Sequence, residues 1–269
     1  MPGQDGVMSN TALKIERRGR VVILENQHPP HNRMTLEYMD ELERAVMSLQ
    51  DDRDVRAVVI TAAGTEHFSV GMDLKQLRSN ADDRGGFEAV LDQRLRVLAA
   101  IEQLDKPVIA TMFGYCLGGG LELPLACHFR FAASEGAQIG LPELDLGTVP
   151  AWGGTARLTR TVGRAHALDL ILRAKKIDGP TALAIGLVHE IHPIDELKAR
   201  AFDLAEELAA QPPLAVAGVL RAVVGAEHLP LDEALRIERE AVRRCSGTAD
   251  QIEGMKAFIE KRRPNFQGR

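Results

Sequence analysis

Three short stretches carry the residue types that could do chemistry. In GYCLGGGLELPLAC, residues 114–127, Gly118, Gly119 and Gly120 directly precede the acid Glu122. Glycine removes the Cβ where backbone N–H groups must approach another group, and the first N–H groups of a helix lack intrahelical partners. Gly119 N–H would therefore suit a developing negative oxygen. The same glycines would also serve close helix packing, and Glu122 an ordinary N-terminal helix charge.

The second stretch is HFSVGMDL, residues 67–74, a loop after a strand-like run. If Val70 N–H converges with Gly119 N–H, the two form a two-donor oxyanion hole at neighbouring strand ends, the expected ligand edge of a mostly parallel sheet. The third is IGLPELDLGTVPAWGGTARL, where Glu143 follows a proline inside a glycine-bounded segment, 21 positions after Glu122. Spacing alone does not bring the acids together, and a solvated loop charge is the alternative for Glu143.

The elements that must position these stretches read as an α/β core. ALKIERRGRVVILEN, residues 12–26, suits a hairpin turning at Arg18 and Gly19. Thr35 can cap a helix over 36–52 whose Leu36, Met39, Leu42, Val46 and Leu49 recur at helical steps. VRAVVIT, residues 55–61, suits a strand buried on both faces, and a second cycle follows with a helix from Phe87 and a strand in KPVIATMF. Beyond Gly153 the pattern is helical, with three long amphipathic segments between Asp195 and Arg263 broken at Pro212 and Pro213 and at Pro230. The expected division is a core over residues 1–200 and a helical region over 201–269.

Bulk composition excludes several classes. A chain of 269 residues with 45% hydrophobic composition can bury a sizeable core, and a net charge of −5 argues against broad electrostatic binding of nucleic acid. No run approaches a membrane span, and the start lacks a signal pattern. Three cysteines without metal spacing fit free thiols in a reducing compartment, so a cytoplasmic location is expected. The pairs His28/His31 and His189/His192 lack a third ligand series, and no metal site is expected.

Taken together, VRAVVITAAGTEHFSVGMDL, KPVIATMFGYCLGGGLELPLAC, GLPELDLGTVPAWGGTARLTRTVG, AIGLVHEI and DQIEGMKAFIEKRRPNF resemble, in order, the blocks of the enoyl-CoA hydratase/isomerase (crotonase) superfamily over residues 13–266. The resemblance implies a crotonase-like α/β spiral of ββα units with a helical C-terminal trimerisation region. It implies an acyl-CoA substrate, with coenzyme A part of that substrate and no separate cofactor, and a homotrimer or dimer of trimers. By the same resemblance, Val70 and Gly119 would hold the thioester oxygen, while Glu122 and Glu143 match the two acids of relatives that hydrate 2-enoyl thioesters. Arg33, Met34, Asp73 and Leu74 match contacts to the coenzyme, and Phe258 and Lys261 match C-terminal residues that reach a neighbouring subunit's ligand.

Three positions depart from the family's pattern. Ala151 and Trp152 stand within Pro-Ala-Trp-Gly-Gly, where most hydratases carry Pro-Gly-x-Gly-Gly, so the single tryptophan is placed to wall the acyl pocket or to pack beneath the loop. His128 replaces an acid, and Arg33 stands at a usually small position. Hydration is the first reading; isomerisation or thioester hydrolysis on the same scaffold, and a non-catalytic acyl-CoA or RNA-binding scaffold, are the alternatives.

Overall fold

The computed structural model describes residues 11–76 and 84–269. Its main sheet holds six strands in the order β1-β2-β3-β4-β6-β8: β1 (Leu13–Arg18), β2 (Val21–Asn26), β3 (Ala57–Ala62), β4 (Val108–Met112), β6 (Phe129–Ala133) and β8 (Glu190–His192). Only the β1–β2 hairpin is antiparallel; every later pairing is parallel. The hairpin turns one residue later than expected, because Gly19 takes the left-handed φ of 58° and Arg18 remains paired with Val21. All residues of β3 and β4 are buried, as the unbroken apolar runs require of central strands.

Helix α1 (Leu36–Asp51) begins where expected, with the Thr35 side chain accepting from Tyr38 N–H at 3.1 Å. Helix α2 (Phe87–Glu102) packs beside it. A second, two-stranded parallel sheet pairs β5 (Tyr115–Leu117) with β7 (Gln138–Gly140), and Ser69 bridges to Cys116 on its other side. Between the layers run α3 (Gly119–Leu125) and a 3-10 turn at Glu143–Leu146, followed by α4 (Gly154–Leu172) and α5 (Gly179–Ala184). Helix α4 breaks at Gly163, whose φ of 76° and ψ of 161° lie outside helical space.

Helix α6 (Ile194–Ala209) runs continuously across residue 200 and lays Leu197, Ala201, Ala205 and Ala209 into the main core. The alanine stripe lets this helix approach the sheet closely. Three further helices follow: α7 (Pro213–Val223), α8 (Leu231–Cys245) and α9 (Ala249–Glu260). There are thus four helices where three segments were expected, because Gly247, with a φ of 77°, interrupts the last pattern.

Candidate active site

Each of the three consecutive glycines has its own steric reason. Gly118 adopts φ 55° and ψ −126°, a region open essentially to glycine, and a Cβ there would stand 2.8 Å from Glu143 Oε1. At Gly119 a Cβ would lie 2.3 Å from Cζ3 of the Trp152 indole; at Gly120 it would lie 2.5 Å from the Ser69 carbonyl. The glycine run is therefore the floor on which the second acid, the tryptophan and the 68–70 segment all rest. Both close packing and a polar site are built from the same residues.

Helix α3 is short and held at both ends. Pro124 cannot donate to the Gly120 carbonyl, and the Cys116 thiol donates to that oxygen instead, at 3.0 Å. Past its end, the buried Arg130 donates to the Pro124 and Cys127 carbonyls at 3.3 and 2.5 Å. His128, whose ring burial drives toward the neutral form, accepts from Val108 N–H at 3.0 Å through Nδ1 and so donates through Nε2 to the Glu102 carbonyl. The histidine thus ties α2, β4 and β6 together.

Glu122 is 2% exposed, and its Oε1 accepts from both Trp152 N–H and Gly154 N–H at 2.8 Å. A Cβ at Gly154 would come within 2.8 Å of the same oxygen, so only glycine lets that backbone close on the acid. Burial pushes the carboxyl up to about 7, against the two N–H donors and the Arg157 guanidinium that favour the anion; the Glu143 charge adds to the upward shift. Arg157 is held by Glu102 at 2.9 Å and donates to the Trp152 carbonyl at 3.0 Å.

Glu143 opens the 3-10 turn, and burial likewise raises its carboxyl. Its Oε2 is buried without a hydrogen-bond partner among the described residues. The two acids, remote in sequence, are therefore neighbours: Glu143 Oε1 lies against Gly118, at the start of the helix that carries Glu122, and the Glu143 charge acts on Glu122. Each feels a low-dielectric setting, which is what acid–base work near neutral pH demands.

Ser69 N–H donates to the Tyr115 carbonyl and Leu117 N–H to the Ser69 carbonyl, both at 3.0 Å, so residues 68–70 run parallel beside β5. A Cβ on Gly71 would stand 3.5 Å from Gly119 N, so the loop after Val70 and the start of α3 adjoin. Gly119 N–H has no hydrogen bond among the described residues, whereas Val70 N–H donates to the His31 carbonyl at 3.1 Å. The two N–H groups expected to pair in an oxyanion hole thus differ, one unengaged and one bonded within the chain.

Arg33 and Met34 lie against the same loop: Met34 N–H donates to the Gly71 carbonyl at 2.9 Å, and Met34 bridges to Met72. Asp73 accepts the N–H groups of Lys75 and Gln76 at 3.0 and 3.1 Å, and Leu74 is exposed. Phe258 and Lys261, at the end of α9, make no hydrogen bond, ion pair or ring contact with any of these residues within the chain, and Phe258 is 86% exposed. A cleft of about 830 Å³ lies apart from the acids, bordered by Leu214, Arg221, Ile237 and Arg244 on α7 and α8. Among the described residues, no cluster of three or more His, Cys, Asp or Glu side chains could hold a metal ion, and no helix is long and apolar enough to cross a membrane.

Sequence reasoning missed two positioning residues and one residue beside the site. Buried Asn32, at φ 45°, donates to the Ala63 and His67 carbonyls at 2.9 and 2.7 Å, tying the 31–34 segment to the loop before Val70. Asparagine tolerates that backbone, but nothing in its neighbours signals the need. Arg157 looks like any charge on α4. Arg94 was detectable: it falls four residues after Val90, inside an otherwise apolar stripe, and its guanidinium carbon stands 5.8 Å from the Trp152 ring centroid.

The enoyl-CoA hydratase/isomerase family model matches residues 16–269. A short-chain-enoyl-CoA hydratase of Clostridium acetobutylicum is 35% identical over 93% of this chain and 95% of its own length. A crotonyl-CoA hydratase of Syntrophomonas wolfei is also 35% identical, over 96% of this chain and 99% of its own. The crystal structure of an enoyl-CoA hydratase from Bacillus anthracis superposes with a TM-score of 0.91 at 32% identity, covering 96% of this chain and all of that one (100%). On the match across nearly its whole length, in sequence and in fold, the chain belongs to the enoyl-CoA hydratase/isomerase family.

Proposed function

We propose that the protein is a hydro-lyase that reversibly adds water across the C2=C3 bond of a 2-enoyl-CoA thioester. The observation that carries this reading is the convergence of a buried acid, Glu122, and a half-buried one, Glu143, both shifted toward neutral pH, on one glycine-floored site. A single acid would suffice to move a proton along the chain; two divide the work of adding water.

Glu122 fits the base, because the Trp152 and Gly154 N–H groups fix one oxygen and favour its anion. Glu143, whose Oε2 meets no donor, fits the acid. With one proton on the pair, water held between them gives a proton to Glu122 as its oxygen bonds to C3. The C2=C3 electron pair moves toward the thioester carbonyl, and the enolate collapses by taking the Glu143 proton at C2. Proton exchange from Glu122 to Glu143 restores the start, and the sum is addition of one water.

The negative thioester oxygen needs donors where it forms. Gly119 N–H is free to serve, and Val70 N–H would share its proton between the His31 carbonyl and the ligand. Removing one such donor typically costs ~3 kcal/mol of transition-state stabilisation. Arg33, Met34, Asp73 and Leu74 lie along the strand-end loop where the coenzyme would run, and Trp152 would wall the acyl pocket. Bare apolar residues on α8 and α9 suit self-association into a trimer or a dimer of trimers, bringing Phe258 and Lys261 to a neighbour's ligand. A cytoplasmic location accords with three free thiols.

The test is loss of the conjugated enoyl-thioester absorbance on mixing purified protein with crotonyl-CoA, with the product identified as 3-hydroxybutyryl-CoA. Binding of the thioester without that loss would turn the assignment toward isomerisation, hydrolysis or a non-catalytic role.

A further inference from the structure

Helix α2 turns Val90, Arg94, Val97, Leu98 and Ile101 to the interior. Arg94 is the charged member of that apolar stripe and is 0% exposed. Its Nη1 donates to the Val90 carbonyl at 3.2 Å and to Gln93 Oε1 at 2.6 Å. Its Nε and Nη2 are buried and have no hydrogen-bond partner among the described residues. These two nitrogens form one edge of the guanidinium, the fork that matches both oxygens of a carboxylate.

Among the described residues, the acids nearest Arg94 are otherwise engaged. Asp40 is bound by Arg84 and by Gln93, Glu43 by Gln93 and Arg96, and Glu102 by Arg157. The Trp152 ring, 5.8 Å from the guanidinium carbon, offers its π face, which leaves the in-plane N–H groups unspent. Burial lowers the guanidinium only to about 10, so it stays cationic at neutral pH. A buried cation with three of its five N–H donors unpaired is unfavourable unless something completes it.

Position says what completes it. The indole that Arg94 faces packs against Gly119, the residue whose N–H is free at the reacting end, so Arg94 stands one indole away from where the thioester carbonyl would sit. Between α1 and α2 a cleft of about 330 Å³ reaches Arg94. An acyl chain running from Gly119 past the indole would bring its far end to the buried, unpartnered fork. We propose that Arg94 determines specificity by receiving a carboxylate at the far end of the acyl chain, so that the preferred thioester is a short 2-enoyl-CoA with a terminal carboxylate.

This inference rests on the acyl-CoA reading, and its test separates the two. Calorimetry with saturated, unreactive thioesters compares glutaryl-CoA with pentanoyl-CoA, and adipoyl-CoA with hexanoyl-CoA. The wild-type protein is expected to bind at least one carboxylated ester about tenfold or more tightly than its neutral partner, the scale of one charge-assisted fork. Arg94→Met should erase that preference while raising the melting temperature, which shows the variant folded; Arg94→Lys should keep part of it. Equal or weaker binding of both carboxylated esters by the wild type, an undiminished preference in Arg94→Met, or no binding of any ester would overturn the proposal. A carboxylate preference without hydration of crotonyl-CoA or of the carboxylated enoyl esters would instead overturn the hydratase reading and leave Arg94 in its role.

Discussion

The surroundings of the two acids and the C-terminal helices solve opposite problems. Around Glu122 and Glu143 the chain closes on itself, with glycines at 118, 119, 120 and 154 admitting a carboxylate, an indole and a backbone within contact distance. On α8 and α9 it leaves Leu231, Phe258 and Ile259 bare, at 74%, 86% and 78% exposure. The first region is finished within one chain; the second presents more apolar surface than a lone chain gains from displaying. The contacts around the acids are made within the chain, whereas the proposed self-association would use contacts still to be made.

The sharpest way to break this contrast is to neutralise the acids. Glu122→Gln and Glu143→Gln should each lower kcat by about 10²–10⁴-fold with thioester affinity nearly kept, as steady-state kinetics and calorimetry would show. Near-normal turnover in both would end the two-acid mechanism.

Glu122 also makes stability depend on pH. Its folded value of about 7 lies above the ordinary 4.5, so the group's contribution is fully present below about 4.5 and lost as pH rises through about 7. The loss amounts to roughly 3 kcal/mol at 1.36 kcal/mol per unit. Urea unfolding at pH 5 and pH 8 should show Glu122→Gln gaining on the wild type at the higher pH, and parallel curves would refute it.

Gly120→Ala would drive a methyl into the Ser69 carbonyl, a backbone atom that cannot swing aside, and should cost about 1–3 kcal/mol of stability by urea titration. Trp152→Ala should change the ratio of kcat/KM between short and long acyl chains by about tenfold, and an unchanged ratio would remove the indole from the pocket wall. The smallest effect on the fold belongs to the other region: Phe258→Ser should shift monomer stability by no more than about 0.5 kcal/mol while lowering the assembled mass seen by light scattering. Unaltered mass would make that face idle.

What could be read ahead of the structure follows the same division. Helix α1 and its Thr35 cap, the central strands and the glycine-borne acid are local patterns, and each has a local cause. The meeting of Glu122 with Glu143 depends on β5 and β7 pairing in register, Tyr115 with Gln138 and Leu117 with Gly140, which no local pattern encodes. Val70 N–H reached the His31 carbonyl through a fold of the 31–34 segment that the Asn32 and Asn26 side chains hold. Arg94 was visible as a charge out of phase with its helix, and its meaning came only with the unfilled fork and the indole beside it.

The anchoring of Glu122 has an engineering consequence. The N–H groups that grip its Oε1 belong to Trp152, the residue proposed to wall the acyl pocket, and to Gly154, two positions on. The proposed pocket wall and the proposed base therefore hang from one short piece of backbone. Redesigning this loop for a longer or bulkier acyl group would displace the base along with the wall, so chain-length preference and turnover should change together in loop libraries, and only side-chain swaps that leave the 152–154 backbone in place should tune one without the other.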